Sequence, residues 1–151
     1  MWEREGAITR VLSTSRPQWP QPDLQWIEDR IWVWVHYVGS KIVRGEWFEA
    51  IDSLAFLRAR VLGPLAAMAE GRNARGVRHV ERDLGRYVEG LRKTNPSHDA
   101  RSCARALRAV AEQYQALRAR LAEPGLLRRA DAEREALSYL DAVQSRDDSR
   151  V

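Results

Sequence analysis

Asp29, His36 and Ser40, spaced seven and four, are the residue types that hydrolytic chemistry assembles into a carboxylate, a base and a hydroxyl. On a helix the three lie roughly along one line, separated by about 10 Å and about 6 Å of axial rise. Side chains so placed point outward in parallel and do not converge on one reacting atom, so a triad is not the expectation. What remains is His36, which can exchange a proton near neutral pH and is therefore a candidate general base. His36, His79, His98 and the single Cys103 have no metal-ligand spacing, so no metal site is expected. Gly39-Ser40 lies inside a helical pattern, with no glycine-rich loop after a strand and no nearby carboxylate pair. No nucleotide and magnesium site is therefore expected in this chain.

The elements that carry these residues are helices. Leu24, Ile27, Ile31, Trp34, Val35, Val38 and Ile42 recur at three and four, marking one face of a long helix that runs from about 24 to about 45. Its far side holds Trp26, Asp29, Val33, His36, Tyr37, Ser40 and Arg44, a mixture too apolar for a solvated face, so the helix is expected to have neighbours on both sides. A second helix is expected over 46–62, with Gly63-Pro64 kinking or ending it before an apolar turn at 65–68. Gly71 should close that turn, 72–78 form a basic loop, and 80–91 a shorter helix. Cys103, Leu107, Val110, Tyr114, Leu117 and Leu121 step by four and three, the stripe of a bundle helix that Pro124-Gly125 ends. A final helix is expected from 130 to about 143. No segment alternates as a strand does. The expected fold is all-α, an antiparallel up-and-down bundle of about five helices. A proline-rich linker over 1–22 precedes the bundle over 23–145, and a charged tail over 146–151 follows it.

The 151 residues suffice for one domain burying roughly 68–70% of its extended surface. Hydrophobic residues make up 44% and charged ones 30%, which excludes a disordered or fibrous chain, and no apolar run spans a membrane. The net charge of +4 is scattered through helical sequence, whereas the aromatics cluster early, so nucleic acid is not the expected partner. Five of the six tryptophans fall between positions 19 and 47, an unusually adhesive first third. One cysteine makes no internal disulfide, and the N-terminus lacks a signal-peptide apolar segment, so a cytoplasmic protein is expected.

Residues 26–37 (Trp-Ile-Glu-Asp-Arg-Ile-Trp-Val-Trp-Val-His-Tyr), 41–46 (Lys-Ile-Val-Arg-Gly-Glu), 56–58 (Phe-Leu-Arg) and 61–64 (Val-Leu-Gly-Pro) form a pattern that extends through 91–94, 106–107 and 114–118. Over about residues 20–122 it resembles the helical C-terminal domain of bacterial nucleotidyltransferases of the aminoglycoside and lincosamide type. The resemblance implies an accessory domain, since the family's nucleotide and magnesium site lies in an N-terminal α/β domain that this chain lacks. Nucleoside triphosphate and magnesium would then be handled only by that missing catalytic domain. It further implies one wall of a pocket for a small hydroxyl-bearing acceptor, and a contact with the catalytic domain or with a second copy in a homodimer. His36 stands where kanamycin-type members carry a carboxylate general base. Asp29, Tyr37, Ser40, Lys41, Arg44 and Glu46 would line the acceptor side. Alternatively, the chain is a helical partner of the HEPN type for a separate minimal nucleotidyltransferase. Arg92 and His98 would then be the ribonuclease pair, and Arg72 and His79 have similar spacing. A purely structural oligomerisation bundle is the third expectation.

Overall fold

A computed structural model describes residues 6–15 and 20–148, with the backbone alone for 146–148. Trp2, Trp19, Arg16-Pro17 and the last three residues of the tail lie outside the described residues. The fold is all-α: α1 (Ala7–Thr14), α2 (Leu24–Val43), α3 (Trp47–Leu57), α4 (Gly63–Ala69), α5 (Val80–Asp83), α6 (Gly85–Lys93), α7 (Ala100–Leu121) and α8 (Ala130–Asp148).

The helix starts obey local chemistry. The Asp23 carboxylate accepts from the Trp26 amide at 2.9 Å and caps α2, and the Asp99 carboxylate accepts from the Ser102 amide at 2.7 Å and caps α7. Of the two outcomes expected at Gly63-Pro64, a kink or an end, the helix does not end but is distorted just before it. Pro64 has no N–H to donate, and residues 58–62 widen into a π-turn in which the Gly63 amide reaches the Arg58 carbonyl, five residues back. One wider turn absorbs the missing donor, so α3 and α4 form one rod. Two other expectations change. The helix over 80–91 is split at Leu84, whose side chain is buried while its backbone leaves the helical region at φ −130°. The last helix passes 143 and runs through Asp148, into the stretch read as tail.

Contacts between elements give the topology. Arg118–Glu133 and Arg108–Asp141 pairs run α7 against α8 in opposite directions. Trp47 beside His98 and Glu70 beside Arg120 set the α3–α4 rod parallel to α7. The Tyr87–Glu70 bond places the start of α6 at the end of that rod. Trp34 on Phe56 and Tyr37 on Glu49 fold α3 back along α2. Consecutive rods therefore alternate, as short loops require. Besides the rod against α7, the packing of α2 against α8, its most extensive neighbour, is also parallel. Arg129, just before α8, meets Asp29, while Tyr139 and Val143 lie against Gly39 further on, so these two helices run parallel.

The core is built on Leu24, Ile27, Ile31, Trp32, Val35, Val38 and Ile42 of α2, facing Cys103, Leu107, Val110, Tyr114 and Leu117 of α7 and Ala136, Leu140 and Val143 of α8. Trp34, expected on the core stripe, is only half-buried, and Trp32 takes the interior place at 2% exposure. Coverage of α2 by both α7 and α8 widens its buried arc and draws in Glu28, Trp32 and Gly39. Its opposite side stays open: Trp26, Val33 and Tyr37 are 46%, 65% and 43% exposed. No residue of α1 is buried, and Ile8, Val11 and Leu12 form an exposed apolar ridge on a helix within the stretch read as linker.

Candidate functional site

The α2–α3 hairpin gathers four of the seven residues singled out from the sequence. The Gly45 turn, at φ +76°, brings Glu46 back over the end of α2. Lys41 Nζ donates to Glu46 Oε2 and Glu49 Oε2, both at 2.8 Å, and Arg44 Nε donates to Glu46 Oε1 at 2.6 Å. The Tyr37 hydroxyl donates to Glu49 Oε1. Hydrogen bonds from Arg44 and Lys41 pull the Glu46 carboxyl down to about 2. Those from Lys41 and Tyr37 lower that of Glu49, while Glu46 and then Glu49 raise the Lys41 ammonium. Nothing in the spacing singled out Glu49; one turn inside α3, it is the acid on the helix that the Gly45 turn folds back over Lys41.

Beside this network lies a hollow of about 350 Å³ lined by Trp34, Tyr37, Glu49, Asp52, Ser53 and Phe56. Asp52 meets no cation within ion-pair distance among the described residues. The hollow offers a free carboxylate, a hydroxyl and an aromatic floor, a set suited to a hydroxyl- or amine-bearing molecule. It continues into an open aromatic ladder. Trp26 lies 5.6 Å from Trp34, and Trp34 lies 5.7 Å edge-on from Phe56. The Arg30 guanidinium stands 4.4 Å over Trp26.

The other sequence-derived residues are elsewhere. His36 is exposed and stacked on Tyr139 at 4.4 Å, against α8 and not in the hollow. Asp29 accepts from Gln25 and Arg129, each at 2.8 Å, and these hold its carboxyl below the usual range. Ser40 donates to the Tyr37 carbonyl at 2.7 Å. Arg92 turns back to Glu89 at 3.0 and 3.1 Å, whereas His98 is packed between Trp47 and Phe48, so the structure does not join the two. Arg72 faces Asp83 at 3.9 Å, and His79 is bent at φ +62°.

A second polar cluster, in the interior, was not read from the sequence. Arg118 of α7 donates to both oxygens of Glu28, at 3.1 and 3.0 Å, and of Glu133, at 3.0 and 3.0 Å. The Tyr114 hydroxyl and the Arg129 amide also donate to Glu28, and Gln115 and Arg128 to Glu133. Burial pushes the Glu28 carboxyl up, but the bonds from Tyr114, Arg129 and Arg118 outweigh it and the net shift is downward. For Glu133 the same contest, with Arg118, Gln115 and Arg128 opposing burial, ends at about 2. The signal was present: Glu28 stands four before Trp32 and seven before Val35, on an otherwise apolar arc. With every carboxylate oxygen bonded, this cluster is a brace for α2, α7 and α8.

Among the described residues no group of three or more histidines, cysteines and acids could hold a metal ion, and no helix is long and apolar enough to cross a membrane. Comparison of the chain with protein-family models, curated proteins and solved structures returns no match to any of them.

Proposed function

We propose that the chain is a non-catalytic accessory helical domain whose α2–α3 face docks a nucleotidyltransferase-like catalytic chain, with the neighbouring hollow serving as one wall for a small hydroxyl-bearing acceptor. The observation that carries this reading is the open ladder Trp26–Trp34–Phe56, continued by Val33 and Tyr37. Aromatic groups of this size are enriched at the buried centres of interfaces. Charge supports the choice of face: Glu49 and Asp52 on its rim would orient a partner bearing cations. His36, on the α8 side, would act on the acceptor only if the partner closes over both faces.

Co-expression with the polypeptide encoded immediately upstream, followed by size-exclusion chromatography with light scattering, tests the reading. A stoichiometric complex is expected, weakened at least about tenfold by Trp34→Ala with Phe56→Ala, changes of about 2–4 kcal/mol for a central aromatic pair. An upstream polypeptide without nucleotidyltransferase features, or a complex indifferent to both changes, would overturn it. One observation favours the second reading, a homodimer: the Ile8, Val11 and Leu12 ridge of α1 is exposed among the described residues.

A further inference from the structure

In the hollow between α2 and α3, Trp34 and Phe56 meet edge-on, with ring planes 80° apart and centroids 5.7 Å apart. Two rings at nearly a right angle make adjoining walls of a corner. Neither ring is sealed by the bundle: Trp34 is half-buried and Phe56 is 47% exposed. The helical period sets the other walls, since Tyr37 stands one turn after Trp34 on α2 and Asp52 one turn before Phe56 on α3. The space of about 350 Å³ that they line is at the lower end of small-molecule sites.

Rings on this face already attract cations from within the chain. The Arg30 guanidinium stands 4.4 Å over Trp26, and Lys41 Nζ stands 4.9 Å over Tyr37. The Trp34–Phe56 corner opens instead on the hollow, beside two carboxylates. Glu49 shares its charge with Lys41, at 2.8 Å, and with the Tyr37 hydroxyl. Asp52, exposed on the same wall, adds a negative charge from outside that network. A primary ammonium is compact and strongly hydrated, and ring faces do not replace the hydrogen bonds it would leave in water. A quaternary ammonium has no such donors, so it gives up water cheaply and gains both the ring quadrupoles and the carboxylate field.

We propose that this hollow binds a small quaternary ammonium compound, its methylated nitrogen in the Trp34–Phe56 corner and its charge balanced by Asp52. A hydroxyl on the same molecule would find Ser53 on the lining. The proposal rests on the reading of the hollow as a wall for a small molecule, and it holds for the chain without any partner.

Calorimetric titration of the full chain with choline tests it. The comparison probes are ethanolamine, which carries a primary ammonium, and the uncharged analogue in which a tert-butyl group replaces the trimethylammonium. Choline is expected to bind about tenfold more tightly than either. Phe56→Leu keeps an apolar side chain but removes the ring, and Asp52→Asn removes the charge; each is expected to weaken choline by about fivefold. Both positions are exposed, so circular dichroism of the variants should match the parent. Phe48→Leu, on the same helix but packed on His98, should leave binding unchanged. Three results would each overturn the proposal: no binding of choline, equal affinity for ethanolamine, or undiminished binding in both hollow variants. Equal affinity for the uncharged analogue would also overturn it, yet keep the hollow as a wall for hydroxyl-bearing molecules. A complex with the upstream polypeptide in a chain that does not bind choline would reject the ligand and keep the docking face.

Discussion

Arg118 is the residue on which three helices converge, and its removal separates two effects that a count of ion pairs would merge. Arg118→Ala leaves Glu28 and Glu133 buried without their shared cation and should cost about 3–5 kcal/mol in urea unfolding. Arg118→Met together with Glu28→Gln and Glu133→Gln removes the charges along with the pair, and most of that loss should be recovered. The same carboxylates set the acid limit of the fold. Glu133 is lowered from an ordinary 4.5 to about 2, and Glu28 is also lowered. A depressed folded value means that the stabilisation is complete above pH 4.5 and is lost as pH falls toward 2, up to about 3 kcal/mol for Glu133 alone. Chemical denaturation between pH 6 and 2.5 should show that decline, flattened in Glu133→Gln; an unchanged slope in the variant would exclude the assignment. Tyr37, Lys41, Arg44 and Glu46 entered only through the family resemblance, as residues lining an acceptor; that the Gly45 turn joins them with Glu49 in one network comes from the fold. Arg118 and Glu133 were not legible, because on a chain so rich in charge only the packing of α8 over α7 makes these two interior.

At the scale of elements, periodicity located α2 to within two residues of its observed ends and placed the α7 stripe from Cys103 to Leu121, three residues inside the observed start at Ala100, since each has a continuous apolar stripe and a side-chain cap at its start. It left open which outcome holds where backbone chemistry has two solutions. A proline in a helix either breaks the ladder or shifts it to a wider turn, and the second outcome needs the rod to be held from both sides, as α7 and the 71–79 loop hold this one. The end of α7 shows a local conflict of another kind. Ala122 takes φ +42° at the position where helices commonly place glycine. Ala122→Gly removes the Cβ strain of the left-handed region and should stabilise the fold by about 1 kcal/mol in a thermal or urea melt. A loss of stability would show that the side chain is needed in the turn.

For the whole molecule, the unequal coverage of α2 and the isolation of α1 matter most. An eight-residue helix is marginal in water by itself, and no residue of α1 is buried among the described residues. Val11→Asp with Leu12→Asp should leave the melting transition of the bundle within about 0.5 kcal/mol of the parent, because neither side chain is buried. If α1 mediates self-association, the same change should convert a dimer to a monomer in light scattering; a monomeric parent would remove the homodimer reading and leave the α2–α3 face to a different partner.

Composition and the 3.6-residue period alone determined that the chain is helical, where its long helices lie, and that α2 has too little polar surface for a solvated helix. Hydrophobic spacing is a local property, written within each segment. Only tertiary structure decided which side of α2 is covered, because coverage depends on helices that arrive seventy or more residues later. The parallel placement of α8 buries Glu28 and Trp32 and turns Trp26 and Tyr37 outward. The clamp of Gly63 on Gly76 fixes the 71–79 loop against the rod, a contact produced by backbone packing that no spacing rule contains.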